Sequence, residues 1–452
     1  MKMVLKFFQK SYNIIVEENM NIIDIITKKK NKYALSEKEI KYFIDEYVEN
    51  NITDYQASAL LMAICINGMN EDEEYYLTKA MVESGDMVDL SSIKGICVDK
   101  HSTGGIGDKT SLVVGPILAA CGLKIAKMSG RGLGFTGGTI DKLESIPNFK
   151  TQLTEGEFIT QINDVGISII GQTGNLVPAD KKIYALRDVS GTIDSISLIS
   201  ASIMSKKIAS GAPYILLDIK VGSGAFMKSE QEAEKLAKSM IQIGKKYNRK
   251  VVCVLTDMNV PLGNCVGNSI EVVEAIETLK GEGNPRFMDL CETLCSQILI
   301  MTGVCSDKLS SINMVKNTIK NKTALEKFKK MIEFQKGNQE VINNYKILKK
   351  SNYIETIYSD RNAYISNVDA LGIGKSSMLL GAGRIKKEDC IDLSVGIELF
   401  VEKGDFVKKD QIVAKLYNNN KNLNEAIKIV ENSVDYCDEP IKCSNVIIKV
   451  IE

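Results

Sequence analysis

Histidine is almost missing from this chain: of 452 residues only His101 carries an imidazole. Any chemistry that needs such a group near neutral pH therefore has one candidate. The 11 cysteines include no CxxC pair, which together with the lone histidine argues against a structural zinc site. Net charge is missing too. The 57 basic and 57 acidic residues cancel, so the basic face that nucleic-acid binding needs is not expected. A small anion is still allowed, because it needs only a local cluster of donors. No apolar run approaches the length of a membrane span. The opening stretch "MKMVLKFFQKSYNIIVEENMNIIDII" has a short apolar patch without a small-residue cleavage site and is not read as a signal peptide. Met20 offers a second start, and residues 1–19 are expected to be an extension outside the fold.

What is present is ordinary for a globular protein: 44% hydrophobic and 25% charged residues. The length predicts two or three domains. With 7 prolines and no low-complexity linker, the parts follow one another closely. The cysteines are scattered, many in apolar company such as "AAC" (Cys121) and "VVCVL" (Cys253), which predicts buried, reduced thiols in a reducing cytoplasm.

Residues 20–90 read as three helices of a small helical domain. "ALSEKEIKYFIDEYVENN" opens on a capping box, Ser36 with Glu39, and "ITDYQASALLMAICING" on another, Thr53 with Gln56, ending at Gly68. "MNEDEEYYLTKAMVESG" has Asn70 as its cap and acids in its first turn. After residue 94 strands and helices alternate. "GICVD", "KIAKMS", "YILLDIKVG" and "KVVCVLTDM" are apolar strands, with "KTSLVVGPILAACG" and "SEQEAEKLAKSMIQIGKKYN" helical between them. This is the pattern of an α/β domain built on a mainly parallel sheet. "DSISLISASIMSKKIASG" (194–211) reads as a helix, 307–350 as Lys/Asn-rich and mostly helical, and "VGIELFVEKGDFVKKDQIVAKLY" as part of a small β-rich C-terminal domain. The expected boundaries are 91–171 and 212–350 for the α/β domain and 351–452 for the β-rich part.

One pattern repeats. "TGGIGDK" (Thr103–Lys109) and "TGGTIDK" (Thr136–Lys142) lie 33 residues apart, about the length of one strand-helix-strand unit. Two neighbouring parallel strands, each ending in a similar loop, are predicted. Such loops turn backbone N–H groups toward a ligand, and a helix start adds donors and a positive dipole end. Lys100, His101 and Ser102 flank the first loop; Lys127, Ser129 and Arg131 flank the second. Cations and hydroxyls thus gather at the carboxyl edge of two strands, where open α/β sheets bind ligands. Neither loop is a Walker A motif, since Asp108 stands where that motif needs glycine, nor a dinucleotide fingerprint. Simple turn chemistry is the plainer reading, but duplication and flanking cations favour an anion. Ser202 and Lys206 share a helix face, which from spacing alone reads as a solvated surface.

The stretches "VDKHSTGGIGDKTSL", "KMSGRGLGFTGGTIDKLESIP", "IIGQTGNLVPADKKIYALRD", "SIMSKKIASGA", "VGSGAFMK", "LTDM" and "GAGRIKKEDCIDLSVGI" resemble the pyrimidine-nucleoside and thymidine phosphorylases from about residue 20 onward. The resemblance implies a small α domain completed by part of 172–211, a large α/β domain across a cleft, a β-rich C-terminal part, and a homodimer joined through the α domains. It implies phosphate binding by Lys100, Ser102, Ser111, Ser129 and Thr139, with Lys127 in the same strip. It implies base binding by Arg187, Ser202 and Lys206, and places His101 near the base carbonyl. Phosphate would strike the anomeric carbon as the base departs, giving free base and sugar 1-phosphate after domain closure.

Two departures stand out. Phe135 occupies a position where relatives carry histidine, leaving His101 as sole candidate. Lys109 stands where many relatives have a threonine in a potassium site, whose other positions match Gly107, Leu262, Cys265 and Glu274. Either the Lys109 ammonium pairs with Glu274 and replaces the ion, or it points to solvent and the ion binds as usual. Lys127 resembles the branch that accepts uridine as well as thymidine and deoxyuridine. The alternatives are a strict thymidine phosphorylase, an enzyme like anthranilate phosphoribosyltransferase working with magnesium and a phosphoribosyl diphosphate, and a paralogue that binds nucleoside without cleaving it.

Overall fold

The computed structural model describes residues 20–452 except 133, 136, 173, 174, 385, 387 and 388. The extension expected at 1–19 lies outside the described residues.

The chain divides into two compact units, one comprising residues up to Asp86 with Val177–Lys206, the other Met87–Leu176 with Lys207–Glu452. The smaller unit is helical. Its sequence reading needs a correction, because among the described residues 20–90 there are four helices, not three: α1 (Ile22–Lys30), α2 (Glu37–Val48), α3 (Asp54–Asn67) and α4 (Glu71–Glu83). The Asn21 side chain accepts from the Ile23 N–H and starts the extra helix, in a stretch noted only for its apolar residues. The capping boxes at Ser36, Thr53 and Asn70 all form, and Gly68 ends α3 in a positive-φ conformation. A buried ion pair, Lys29 with Glu73 at 2.6 Å, joins α1 to α4. Two later helices complete the unit. One is α8 (Pro178–Ser190), whose proline opens the first turn where no N–H is needed; the other is α9 (Ile196–Ala209), which belongs to this unit through Lys206.

The larger unit is built on a six-stranded sheet of order β13-β5-β4-β1-β2-β3. Its strands are β1 (Cys97–Ser102), β2 (Lys124–Ser129), β3 (Ile167–Gly171), β4 (Tyr214–Val221), β5 (Lys250–Asp257) and β13 (Ile447–Ile451). All pairings are parallel except that of β13 with β5, which is antiparallel and covers one edge. The strands are near-continuous apolar runs because helices cover them. These include α5 (Thr110–Ala120), α7 (Glu155–Val165) and α10 (Glu230–Lys246). Shorter pieces matter below: α6 (Thr139–Glu144), β6 (Cys265–Gly267) and α11 (Ser269–Lys280). The β-rich C-terminal part holds β7 (Tyr353–Tyr358), β8 (Ala363–Val368), β9 (Gly396–Leu399), β10 (Phe406–Val407), β11 (Ile412–Asn418) and β12 (Val434–Cys437), in sheets ordered β10-β8-β12 and β6-β9-β11-β7. Two helices, Ala370–Leu380 and Leu423–Asn432, pack among them.

All 11 cysteines are free thiols. Cys253 is buried as expected, but Cys121 is only partly buried, and Cys390 and Cys443 are exposed. No helix among the described residues is long and apolar enough to cross a membrane.

Candidate active site

The predicted neighbours are neighbours. β1 and β2 pair in parallel with Cys97 opposite Lys124 and Val98 opposite Ile125, and farther along the two strands Lys127 Nζ reaches the Lys100 carbonyl. The loop after β1 runs into α5, and the loop after β2 into α6. Both glycine turns therefore leave the same edge of the sheet. The first turn is stitched to β4: the Thr103 N–H donates to the Asp218 carbonyl at 3.0 Å, and the Thr103 hydroxyl accepts from the Lys220 N–H at 2.9 Å.

At this edge the structure buries a cluster of charges that the sequence reading saw only in part. Lys100 Nζ donates to the Thr110 hydroxyl and lies 3.3 Å from Asp218. Asp218 also holds Lys220 at 2.6 Å and the Thr256 hydroxyl at 2.7 Å. Lys127 Nζ donates to the Lys100 carbonyl at 2.5 Å and lies 3.9 Å from Asp99, which is paired with Lys207 at 2.6 Å. Burial, with the like charges of Lys207 and Lys100, lowers Lys127 to about 7 against the pull of Asp99. Asp108 goes the other way. Burial alone would raise it, but Lys100 and Lys220 and the hydroxyls of Ser102 and Thr110 hold it well below the usual carboxylate range. Lys127, whose nearest carboxylate lies 3.9 Å away and is already paired with Lys207, is a ready place for an anion. Ser111 is buried in the first turn of α5, Ser129 is buried at the end of β2, Thr139 opens α6, and the Ser102 hydroxyl accepts from the Gly104 N–H at 3.2 Å. His101 is half-buried on β1, opposite Leu217 of β4. Phe135 packs against the apolar core.

Arg131 and Asp141 form a second network. The Asp141 carboxylate accepts from Arg131 at 3.0 Å, from the Gly132 N–H at 2.7 Å and from both Nη atoms of Arg384 at 2.9 and 3.0 Å. Gly138 has to be glycine here, because an added Cβ would fall 2.1 Å from Gly132 N.

The residues matched to potassium converge, but around an ammonium. Lys109 Nζ donates to the Leu262 carbonyl at 2.8 Å, the Cys265 carbonyl at 3.1 Å and Glu274 Oε2 at 2.5 Å, and lies 5.1 Å from the centre of the Phe287 ring. Gly107 presses on the same carbonyls. Burial would lower the Lys109 ammonium, yet the Glu274 and Glu271 carboxylates outweigh it and hold it raised. The solvent-pointing alternative for Lys109 is overturned: its side chain is fully buried. The donor set does not fit a potassium ion while this ammonium occupies it.

Arg187, Ser202 and Lys206 lie in the smaller unit. Lys206 Nζ donates to Ser202 Oγ at 3.0 Å and to Asp180 Oδ2 at 2.5 Å. The reading of Ser202 and Lys206 as a solvated face is thereby corrected, since Ser202 and Asp180 are both buried. Arg187 is buried and donates to the carbonyls of Thr192, Ile193 and Leu198 at 3.2, 2.8 and 3.2 Å. Those three bonds leave further N–H groups on Nη1 and Nη2. Asp180 and Tyr184 were missed, although Asp180, Tyr184 and Arg187 share one helix face by spacing. Lys206 lies 5.9 Å from the centre of the Tyr184 ring.

Fold and cluster together define a glycosyl-transferring architecture. The glycosyl transferase family, helical bundle domain, matches residues 23–85, and the glycosyl transferase family, a/b domain, matches 94–325. The pyrimidine nucleoside phosphorylase C-terminal domain matches residues 364–437. A pyrimidine-nucleoside phosphorylase of Geobacillus stearothermophilus is 46% identical over 428 residues, 95% of this chain and 99% of that protein. One from Staphylococcus aureus (strain bovine RF122 / ET3-1) is 47% identical over 422 residues, 93% and 98% respectively. This chain belongs to the pyrimidine-nucleoside phosphorylase family. Its fold is also that of the anthranilate phosphoribosyltransferase of Thermus thermophilus, which aligns with a TM-score of 0.55 at 16% identity, covering 70% of this chain and 100% of that one.

Proposed function

We propose that this enzyme cleaves pyrimidine nucleosides with inorganic phosphate, giving the free base and a (deoxy)ribose 1-phosphate. The observation that carries the reading is the buried lysine cluster at the ends of two parallel strands, in a chain whose relatives are pyrimidine-nucleoside phosphorylases over nearly their whole length. Phosphate is the co-substrate. Lys100 and Lys127 supply its counter-charge, and Ser102, Ser111, Ser129 and Thr139 supply hydroxyls. Phosphate is a modest nucleophile, so holding and desolvating it are what the protein contributes. The glycosidic bond breaks with oxocarbenium character, and negative charge grows on the departing base. Arg187 and Lys206 stabilise that charge, Ser202 holds the base, and His101 donates a hydrogen bond or proton to it. Asp180 keeps the Lys206 ammonium in place through its 2.5 Å contact.

The Lys127 position supports a range that includes uridine, thymidine and deoxyuridine. Potassium is not required on this reading, since Lys109 holds the oxygens it would take. A homodimer through the helical unit is supported by α3, where Tyr55 and Ile66 are 74% and 73% exposed and share a face with exposed Ala59 and half-buried Met62. Free thiols throughout support a cytoplasmic setting.

The test is release of uracil from uridine, and of thymine from thymidine, by inorganic phosphate without magnesium. Base release with sugar 1-phosphate formation is expected for both, and His101→Asn should lower kcat by about 10²–10⁴-fold. Release from thymidine alone would identify the strict enzyme, and binding without turnover would identify a non-catalytic paralogue.

A further inference from the structure

The two copies of the repeated motif end in the same residue, and the two lysines go to the same helix. Lys109 pairs with Glu274 at 2.5 Å, and Lys142 with Glu271 at 3.3 Å. Both acceptors stand in α11, one helical turn apart, and all four side chains are buried. The glutamates also hold the strand before the helix. Glu274 accepts from the N–H groups of Asn264 and Cys265 at 2.7 and 2.8 Å, and Glu271 from that of Gly267 at 3.0 Å. Each anchor also abuts a motif glycine. A Cβ on Gly107 would lie 2.5 Å from the Leu262 carbonyl that Lys109 binds, and one on Gly137 would lie 2.6 Å from Lys142 Nζ.

We infer that Lys109 and Lys142 are positioning residues that moor both glycine turns to one acidic helix through Glu274 and Glu271, with Lys109 acting as a tethered cation in a nest of oxygens. The inference rests on the phosphate reading of those turns. The anchors differ in kind. Around Lys109 two carbonyls and a carboxylate form an oxygen set that a free hard or ammonium-like cation can also satisfy. Around Lys142 no carbonyl of the described residues accepts from the ammonium: its Nζ and Glu271 Oε2 make no well-aligned hydrogen bond. Removing the Lys109 side chain therefore leaves a hole that a cation can refill, and removing that of Lys142 does not.

The test uses the full-length enzyme in sodium, potassium, ammonium or choline chloride at fixed ionic strength. Thermal melts and KM for phosphate and for nucleoside are recorded for the wild type, Lys109→Ala and Lys142→Met. The wild type should melt alike in all four salts. Lys109→Ala should show a phosphate KM raised about tenfold in choline, falling back in potassium or ammonium with a rise in melting temperature, while the nucleoside KM moves little. Lys142→Met should show the raised phosphate KM with no rescue. If Lys109→Ala does not fold in choline, refolding in potassium or ammonium alone supports the inference, and failure in every salt overturns it. A wild type whose melting responds to potassium, or a Lys109→Ala variant with wild-type phosphate KM in choline, also overturns it. Should the wild type release no base from nucleosides, the proposed reaction fails, while the melts still test the tethered cation.

Discussion

Lys127 is the place where stability and ligand binding should pull in opposite directions. Its ammonium is lowered by burial from an ordinary 10.5 to about 7. Because the folded value lies below the unfolded one, the unfolded chain binds the extra proton between them. The penalty is therefore full below pH 7 and fades as pH rises toward 10.5. At about 1.4 kcal/mol per unit it is on the order of 4 kcal/mol near neutrality. Replacing Lys127 with methionine removes it, at the cost of about 1 kcal/mol for the lost hydrogen bond to the Lys100 carbonyl. Asp99 keeps its 2.6 Å contact to Lys207. Lys127→Met should accordingly melt higher than the wild type at pH 7 without phosphate, and phosphate should raise its melting temperature less. Only the protonated ammonium attracts phosphate. The charged fraction of a group titrating near pH 7 falls about tenfold between pH 6 and pH 8. The kcat/KM for phosphate reports the free enzyme, and its ratio between wild type and Lys127→Met cancels the ionisation of phosphate itself. That ratio should fall about tenfold across the interval. A flat ratio, or a variant that melts lower at pH 7 without phosphate, would refute the reasoning.

Two further outcomes follow from single contacts. Asp180→Asn weakens the hold on Lys206, so nucleoside KM should rise about tenfold, worth about 1.4 kcal/mol, with phosphate KM unchanged in steady-state assays. Gly107→Ala forces a Cβ to 2.5 Å from the Leu262 carbonyl at a φ of +71°, and should lower stability by about 2 kcal/mol or more in urea unfolding.

Much of the framework was legible because local signals and tertiary structure agree. "KIAKMS" is β2 residue for residue, and the capping boxes at Ser36 and Thr53 begin their helices. The 33-residue repeat foretold two adjacent parallel strands. The misses have separate causes. The helix Ile22–Lys30 was lost in a patch read for its apolarity, although Asn21 caps it. The partners Asp218, Glu271 and Lys207 carry no local signal, because an ion pair between distant segments is invisible until the chain is folded. The spacing of Ser202 and Lys206 placed them on one face but could not say whether that face was wet.

The strand Ile447–Ile451 has a consequence for biosynthesis. It hydrogen-bonds to β5, made far earlier in translation. Until residues 447–451 have left the ribosome, the outer backbone groups of β5 stay open to pairing with any other extended chain. A nonsense change anywhere after β5 and before Ile447 would thus yield a polypeptide that retains both glycine turns yet carries a sticky, unfinished border.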